Sequence, residues 1–245
     1  MIDWQVESLR LSLFRAKPIE TVTPLWETLT GEKPEKIDSQ PRANIIMEAG
    51  KVILGELTHM SDPLRINWNL SPPRERQQAT SSFTTLGSLL ETKNQFIQIM
   101  SDWLSSDAVP ELNRLALGSV SLIVKNNKTS AYKQLSDLLH HVEIDIENST
   151  DFLYQINRPI QSTVKPDLMI NRLSKWSVAH YMGLGLLFGD KPEVITNNRD
   201  LIANRLELDI NTHQSNKDIF LKEQLIQFIQ EFSKYTDQIS TEGDK

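Results

Sequence analysis

At 245 residues the chain is long enough to bury a proper core, as one large domain or two small ones. With 39% hydrophobic and 24% charged residues it has the composition of a folded globular protein, and its net charge of −6 argues against a general nucleic-acid binder, whose footprint would be basic. The absence of cysteine excludes disulfides, thiolate metal sites and a cysteine nucleophile, and fits a reducing cytosol. The opening MIDWQVESLRL has an acid at position 3 and no apolar run, unlike a secretory signal. No stretch approaches the roughly 20 apolar residues of a membrane span. The longest apolar run, Tyr181 to Phe188, is broken by Gly183 and Gly185. The expectation is a soluble cytoplasmic protein with no membrane contact.

In chain order, Trp4 to Phe14 reads as a strand whose alternation slips near Glu7: Trp4 and Val6 on one face, then Leu9, Leu11 and Leu13 on the other. Either a bulge sits there or the strand begins at Ser8. Val22 to Leu29 predicts a short helix, with Thr23 as N-cap, Pro24 at the first helical position and Gly31 as the stop. Lys33 to Arg42 reads as a loop. Asn44–Glu48 and Val52–His59 read as strands around an Ala49-Gly50-Lys51 hairpin turn. Leu64 to Leu70 alternates cleanly, with Leu64, Ile66, Trp68 and Leu70 facing one way and Arg65, Asn67 and Asn69 the other. After Pro72-Pro73, Arg74 to Ser82 is a polar linker. Leu86 to Leu104, capped by Thr84 or Thr85, is an amphipathic helix with Leu86, Leu89, Leu90, Phe96, Ile97, Met100, Trp103 and Leu104 on one face.

The pattern then begins again. Leu112–Val124 predicts a strand with Gly118 inside it, and Ser130–Val142 a helix. Asp151–Asn157, Lys165–Leu173 and Trp176–Phe188 read as strands, and Asp190–Arg199 as a loop. Arg205–His213 is a strand with Leu206, Leu208, Ile210 and Thr212 on one side and Glu207, Asp209, Asn211 and His213 on the other. In the helix Lys217–Ile239, an apolar stripe runs through Leu221, Leu225, Phe228, Phe232, Tyr235 and Ile239. The fold class is therefore α+β: two pseudo-repeated halves of strand, helix, antiparallel strands and helix, the sheet backed by the long helices. Residues 1–110 form the first half and 111–245 the second, with one continuous sheet and a single domain left open. This order resembles each half of the saddle-shaped TATA-binding-protein fold, in which two such halves join one curved sheet. Such a likeness carries no function with it.

Candidate sites are few. Glu207, Asp209, Asn211 and His213 have the spacing of a polar ligand or metal site, and equally that of a solvated sheet face. The same holds for Glu143, Asp145 and Glu147. Adjacent histidines His140 and His141 diverge on a helix and better serve its C-terminus than a metal. His59 and Asp62 lie in a turn without a nucleophile. No G-x-S-x-G elbow and no phosphate-binding glycine loop is present. Arg65, Asn67 and Asn69, with Arg74 and Arg76 of the linker, are the strip best suited to a binding surface. No cofactor and no metal is expected.

Two passages, RLALGSVSLIVKN (residues 114–126) and RLELDINTH followed by a long helix ending near Gly243, are similar to a sporadically distributed, uncharacterised family of prokaryotic proteins of about this length. An N-terminal strand with a short helix, a strand like Ile66-Asn67-Trp68, and a late "L-D-I-D-x-x-T"-like strand, here Leu206 to Thr212, belong to the same likeness. It implies no catalytic residues. Patchy occurrence is typical of antiviral defence or toxin–antitoxin cassettes, so the resemblance implies an accessory subunit in one. The leading expectation is a non-enzymatic protein-binding subunit whose partner is an ATPase or effector. The alternatives are a small-ligand sensor or enzyme with a pocket between sheet and helices, using Asp209, His213 or His180, and a nucleic-acid-binding saddle. A homodimer through a sheet edge stays open.

Overall fold

The structure, a computed structural model, describes residues 2–73, 83–187 and 193–245, and for 181–187 and 193–200 the backbone alone. The strands are β1 (Gln5–Arg15), β2 (Lys36–Gln40), β3 (Ile45–Val52), β4 (Gly55–Ser61), β5 (Arg65–Ser71), β6 (Leu112–Lys125), β7 (Leu153–Asn157), β8 (Ile160–Gln161), β9 (Met169–Leu187) and β10 (Glu193–Thr212). The helices are α1 (Trp26–Thr30), α2 (Leu89–Leu104), α3 (Lys128–Leu138) and α4 (Lys222–Glu242). All ten strands join one sheet in the order β2-β3-β4-β5-β1-β6-β10-β9-β7, and β8 continues the line of β7 along β9. Every pairing is antiparallel.

The helices pack on one face of this sheet, and the strand alternation follows from that. Leu9, Leu11, Leu13, Ile66, Trp68, Leu70, Leu115, Leu117, Leu206, Leu208 and Ile210 are all at most 4% exposed. The slip near Glu7 is a bulge, between Val6 and Ser8 of β1 opposite β6. The extra residue restores parity, so Trp4 and Val6 join Leu9, Leu11 and Leu13 in one core instead of facing away.

Several sequence expectations are overturned. The stretch Lys33–Arg42 contains a strand, β2; its five residues are exposed on both faces, so no periodicity marks it. Gly50 is no hairpin turn but lies inside β3, and a Cβ there would meet the Trp26 ring at 2.8 Å; the glycine makes room for the indole. The turn falls instead between Val52 and Gly55. What reads as two strands is one, β9, running unbroken through Ser174 and Lys175. Within Asp190–Arg199, residues 193–199 belong to β10, paired with β9 where no third strand flanks them among the described residues; two-stranded pairing imposes no apolar alternation. Residues 143–147 form no strand: 143–145 are irregular and a turn follows at 146–148, with Asp145 accepting from the N–H groups of Glu147 and Asn148. The Arg74–Ser82 linker lies outside the described residues.

Helix boundaries differ from their sequence signals: α1, α2 and α4 begin later, whereas α3, expected over Ser130–Val142, runs Lys128–Leu138 with the Asn127 side chain accepting from the Ser130 N–H. The N–H groups of Leu25 and Trp26 at the start of α1 donate to Glu48 Oε2 of β3, at 2.8 and 3.0 Å, in place of a Thr23 cap. Gly31, at φ 73°, ends α1 as expected. Leu86 pairs with Val6 as extended chain, and α2 starts only at Leu89, leaving Leu90 at 46% exposed. Leu221 stands before the first turn of α4 and is 64% exposed, while Leu225, Phe228, Phe232, Tyr235 and Ile239 are buried. Each of the two phenylalanines, fully buried, contributes about 2–3 kcal/mol of transfer free energy.

Buried polar groups fix how α4 sits. Glu231 accepts from Ser162 Oγ (2.8 Å), Thr163 N (2.7 Å), Thr163 Oγ1 (2.9 Å) and Tyr235 OH (3.0 Å). Burial, with the Glu231 carboxylate adding to it, pushes the Tyr235 phenol up to about 12. The buried Lys93 ammonium of α2 donates to Ser233 Oγ and Asp237 Oδ2 of α4, both at 2.7 Å. Among the described residues no helix is long and apolar enough to cross a membrane.

Candidate functional site

With the helices on one side, the other side of the sheet presents its alternate residues to solvent, and there the polar side chains organise themselves. One cross-strand row runs Thr58, Asn69, Arg10, Gly118, Asp209, Leu173, Asn157, a residue each from β4, β5, β1, β6, β10, β9 and β7. Arg65, Asn67 and Asn69 therefore share a face with Glu207, Asp209 and Asn211, although more than half of the chain separates the two strips.

Hydrogen bonds link this face laterally. Asn157 Nδ2 donates to Asn171 Oδ1 at 3.1 Å, Asn171 Nδ2 to Asn211 Oδ1 at 3.0 Å, and Asn211 Nδ2 to Asp209 Oδ1 at 2.7 Å. The second oxygen of Asp209 accepts from Arg10 Nη2 at 2.8 Å. The ladder thus reaches β1 from β7, and it crosses β6 above Gly118. A Cβ at that position would lie 3.2 Å from Arg10 Nη2, so the glycine is what lets the guanidinium lie flat across the sheet. Beside it runs a second chain of charges. Lys175 Nζ is 2.9 Å from Glu207 Oε1, Arg205 also bonds Glu207, and Arg205 Nε donates to Glu7 Oε2 at 3.1 Å. Between the two chains lies a shallow depression of about 350 Å³, bordered also by Ser8, Val120 and Gln155.

The electrostatics of this face are locally balanced. Arg10, Lys175 and Arg205 each face a carboxylate, so the positive charge is compensated in place. Each amide in the ladder holds its neighbour in one orientation, so these side chains are ordered in advance of any contact.

The remaining predicted residues fall elsewhere. His213 lies just beyond β10, with Nδ1 2.8 Å from Ser215 Oγ, and takes no part in the ladder. Arg74 and Arg76 are outside the described residues. Asp209, His213 and His180 do not converge; His180 lines a different recess with Tyr132 and Asp151. His140 and His141 follow the end of α3, where the His140 N–H donates to the buried Asp244 carboxylate at 2.7 Å and His141 Nδ1 lies 3.3 Å from it. His59 is in β4, not a turn, and is fully buried with Nδ1 2.9 Å from Glu48 Oε2. Glu48 is already used as the cap of α1. Among the described residues no group of three or more His, Asp or Glu could hold a metal ion.

Sequence reasoning missed Arg10, Lys175, Asn171 and Asn157. Arg10 carried a usable signal, since it alternates with Leu9, Leu11 and Leu13 and must face away from them. Its partner, 199 residues away, carried none. No protein-family model matches the chain, and no curated protein matches it.

Proposed function

We propose that this protein is a non-enzymatic, protein-binding accessory subunit, and that the open face of its sheet is the surface that engages the partner. The observation that carries the reading is the ladder Arg10–Asp209–Asn211–Asn171–Asn157, a pre-organised row of polar groups spread across a face that no helix covers among the described residues. Because Arg10, Lys175 and Arg205 are each matched by a carboxylate, the centre of the face offers little unpaired positive charge to a phosphate backbone, which favours a protein over a nucleic acid. The overall charge of −6 suits a partner with a basic surface.

The order of elements supports reading the chain as two pseudo-repeated halves. From the centre outward the first half runs β1-β5-β4-β3-β2 and the second β6-β10-β9-β7, with α1 and α3 following the first strand of each half and α2 and α4 closing them. This is the arrangement behind the likeness to the saddle fold. Together with the resemblance to a sporadically occurring prokaryotic family, it favours a subunit of a multi-protein system of the antiviral defence or toxin–antitoxin kind, with an ATPase or an effector as partner.

The test is purification at native expression with the neighbouring genes intact, followed by mass determination of what co-elutes. A complex of defined stoichiometry is expected. Asp209→Ala and Asn171→Ala should weaken it about tenfold or more while leaving thermal stability nearly unchanged, since such half-exposed polar contacts contribute about 1 kcal/mol or less to folding. A protein that elutes without a partner even at low salt, or face variants that retain the partner as wild type does, would overturn the reading.

A further inference from the structure

A different surface, the outer edge of the sheet, points to a second copy of the chain. β2 ends the sheet, pairs only with β3 among the described residues, and is exposed at all five positions from Lys36 to Gln40. An edge strand carries backbone N–H and C=O groups with no partner on its outer side. Ile37, the second residue of the stretch, is 63% exposed. Edges are normally guarded by charge and proline, and this one has Pro34 and Pro41 on either side of it. These exclude long templated pairing but leave the segment Lys36-Ile37-Asp38-Ser39-Gln40 free.

We propose that the protein self-associates through β2, which pairs antiparallel with β2 of a second copy about a two-fold axis at Ile37. The segment is self-complementary in that register. Ile37 meets the same residue of the second copy, and Lys36 lies directly opposite Asp38 twice, once on each side of the axis. Directly opposed residues in an antiparallel pair project to the same face and attract when their charges differ. A register shifted to centre on Asp38 would instead oppose two carboxylates, so charge selects the Ile37 axis. The geometry of β2 against β3 places Lys36 and Asp38 on the open face and Ile37 on the helix side, in the row of Glu48 and His59. Two ten-stranded sheets then become one, and the open faces of both copies form a single continuous surface. An isologous contact of this kind closes as a dimer and does not propagate. This inference does not depend on the identity of any other partner.

With three residues of β2 from each chain directly opposed, Lys36, Ile37 and Asp38, the contact is small, and it implies a weak dimer with a dissociation constant in roughly the micromolar range or above. Sedimentation analysis of the purified chain from about 1 to 200 µM covers that range. A reversible shift from 28.1 kDa toward twice that mass is expected. Lys36→Asp and Asp38→Lys, made singly, each oppose like charges at two places and should weaken the dimer about tenfold. The double variant carrying both exchanges restores opposite charges and should recover wild-type association. A second measurement needs no variant: amide hydrogen exchange in β2 should slow as concentration rises. A monomer over the whole range, a dimer indifferent to the single changes, a double variant that stays dissociated, or concentration-independent exchange would each overturn the proposal.

Discussion

Replacing Glu48 by alanine isolates how a buried carboxylate holds the short helix α1 on the sheet. Glu48 is 1% exposed, and its Oε2 receives the N–H groups of Leu25 and Trp26 together with His59 Nδ1. Truncation leaves three donors without an acceptor in a region sealed by Trp26, Trp68 and Trp103. An orphaned buried donor costs about 1–3 kcal/mol. Local relaxation and entry of water recover part of this, so a loss of about 3–5 kcal/mol is expected. Glu48→Gln keeps a carbonyl oxygen for the two backbone donors and forfeits only the charge-assisted share, about 1–2 kcal/mol. Equilibrium urea unfolding followed by tryptophan fluorescence measures both. An alanine variant within about 1 kcal/mol of wild type, or a glutamine variant as damaged as alanine, would refute the claim that these hydrogen bonds anchor α1.

Two further outcomes follow from the buried polar groups. Burial pushes the His59 imidazolium down to about 4, against the pull of the Glu48 carboxylate, which favours the charged form. The unfolded chain takes up this proton near pH 6.5 and the folded chain only near 4, so stability is full above 6.5 and falls with pH across that window, by up to about 1.4 kcal/mol per pH unit. Unfolding measured at several pH values should show a flatter slope there in His59→Gln than in wild type; equal slopes would contradict the assignment. At α4, Glu231→Ala should cost about 3–5 kcal/mol by orphaning its four donors. Glu231→Gln should cost less while moving the Tyr235 titration down from about 12, because burial remains and the adjacent charge is gone. Ultraviolet titration of the tyrosines reads that shift, and an unmoved value would show that burial alone sets it.

Where one face of an element is buried and the other wet, the sequence was legible. The alternation in Ile66–Leu70 and Leu206–Thr212 and the stripe from Leu225 to Ile239 map onto β5, the last third of β10 and α4, while Leu64, expected beside Ile66, lies before β5 and is exposed. It was illegible where that contrast is missing. KIDSQ is wet on both faces and reads as loop, and Ser174-Lys175 interrupts a hydrophobic run without interrupting the strand. Gly50 and Gly118 look alike as strand glycines, yet one accommodates an indole from the helix side and the other a guanidinium on the open side. Only the tertiary neighbour tells them apart. The open-face residues were readable as outward-facing, strand by strand, but their assembly into one ladder depends on β1 and β6 lying side by side at the centre of the sheet. No local pattern encodes that pairing.

The two faces of the sheet contribute unequally to folding, and the proposed recognition surface is the one that contributes less. Nearly every large side chain that is fully buried lies on the helix side or in the helices, and the buried carboxylates Glu48 and Glu231 serve there as caps and braces. The open face contributes little to that balance, because its ion pairs are half-exposed and worth about 1 kcal/mol or less each. Its residues can therefore change with a partner without unfolding the subunit. Gly118 ties the two together: β6 pairs between β1 and β10 for the core, and must stay bare on the other side for Arg10 to reach Asp209. A strand-interior glycine weakens a sheet by roughly 1 kcal/mol, and nothing in the core repays it. The return lies on the open face, and that is the physical reason to look for the protein's function there.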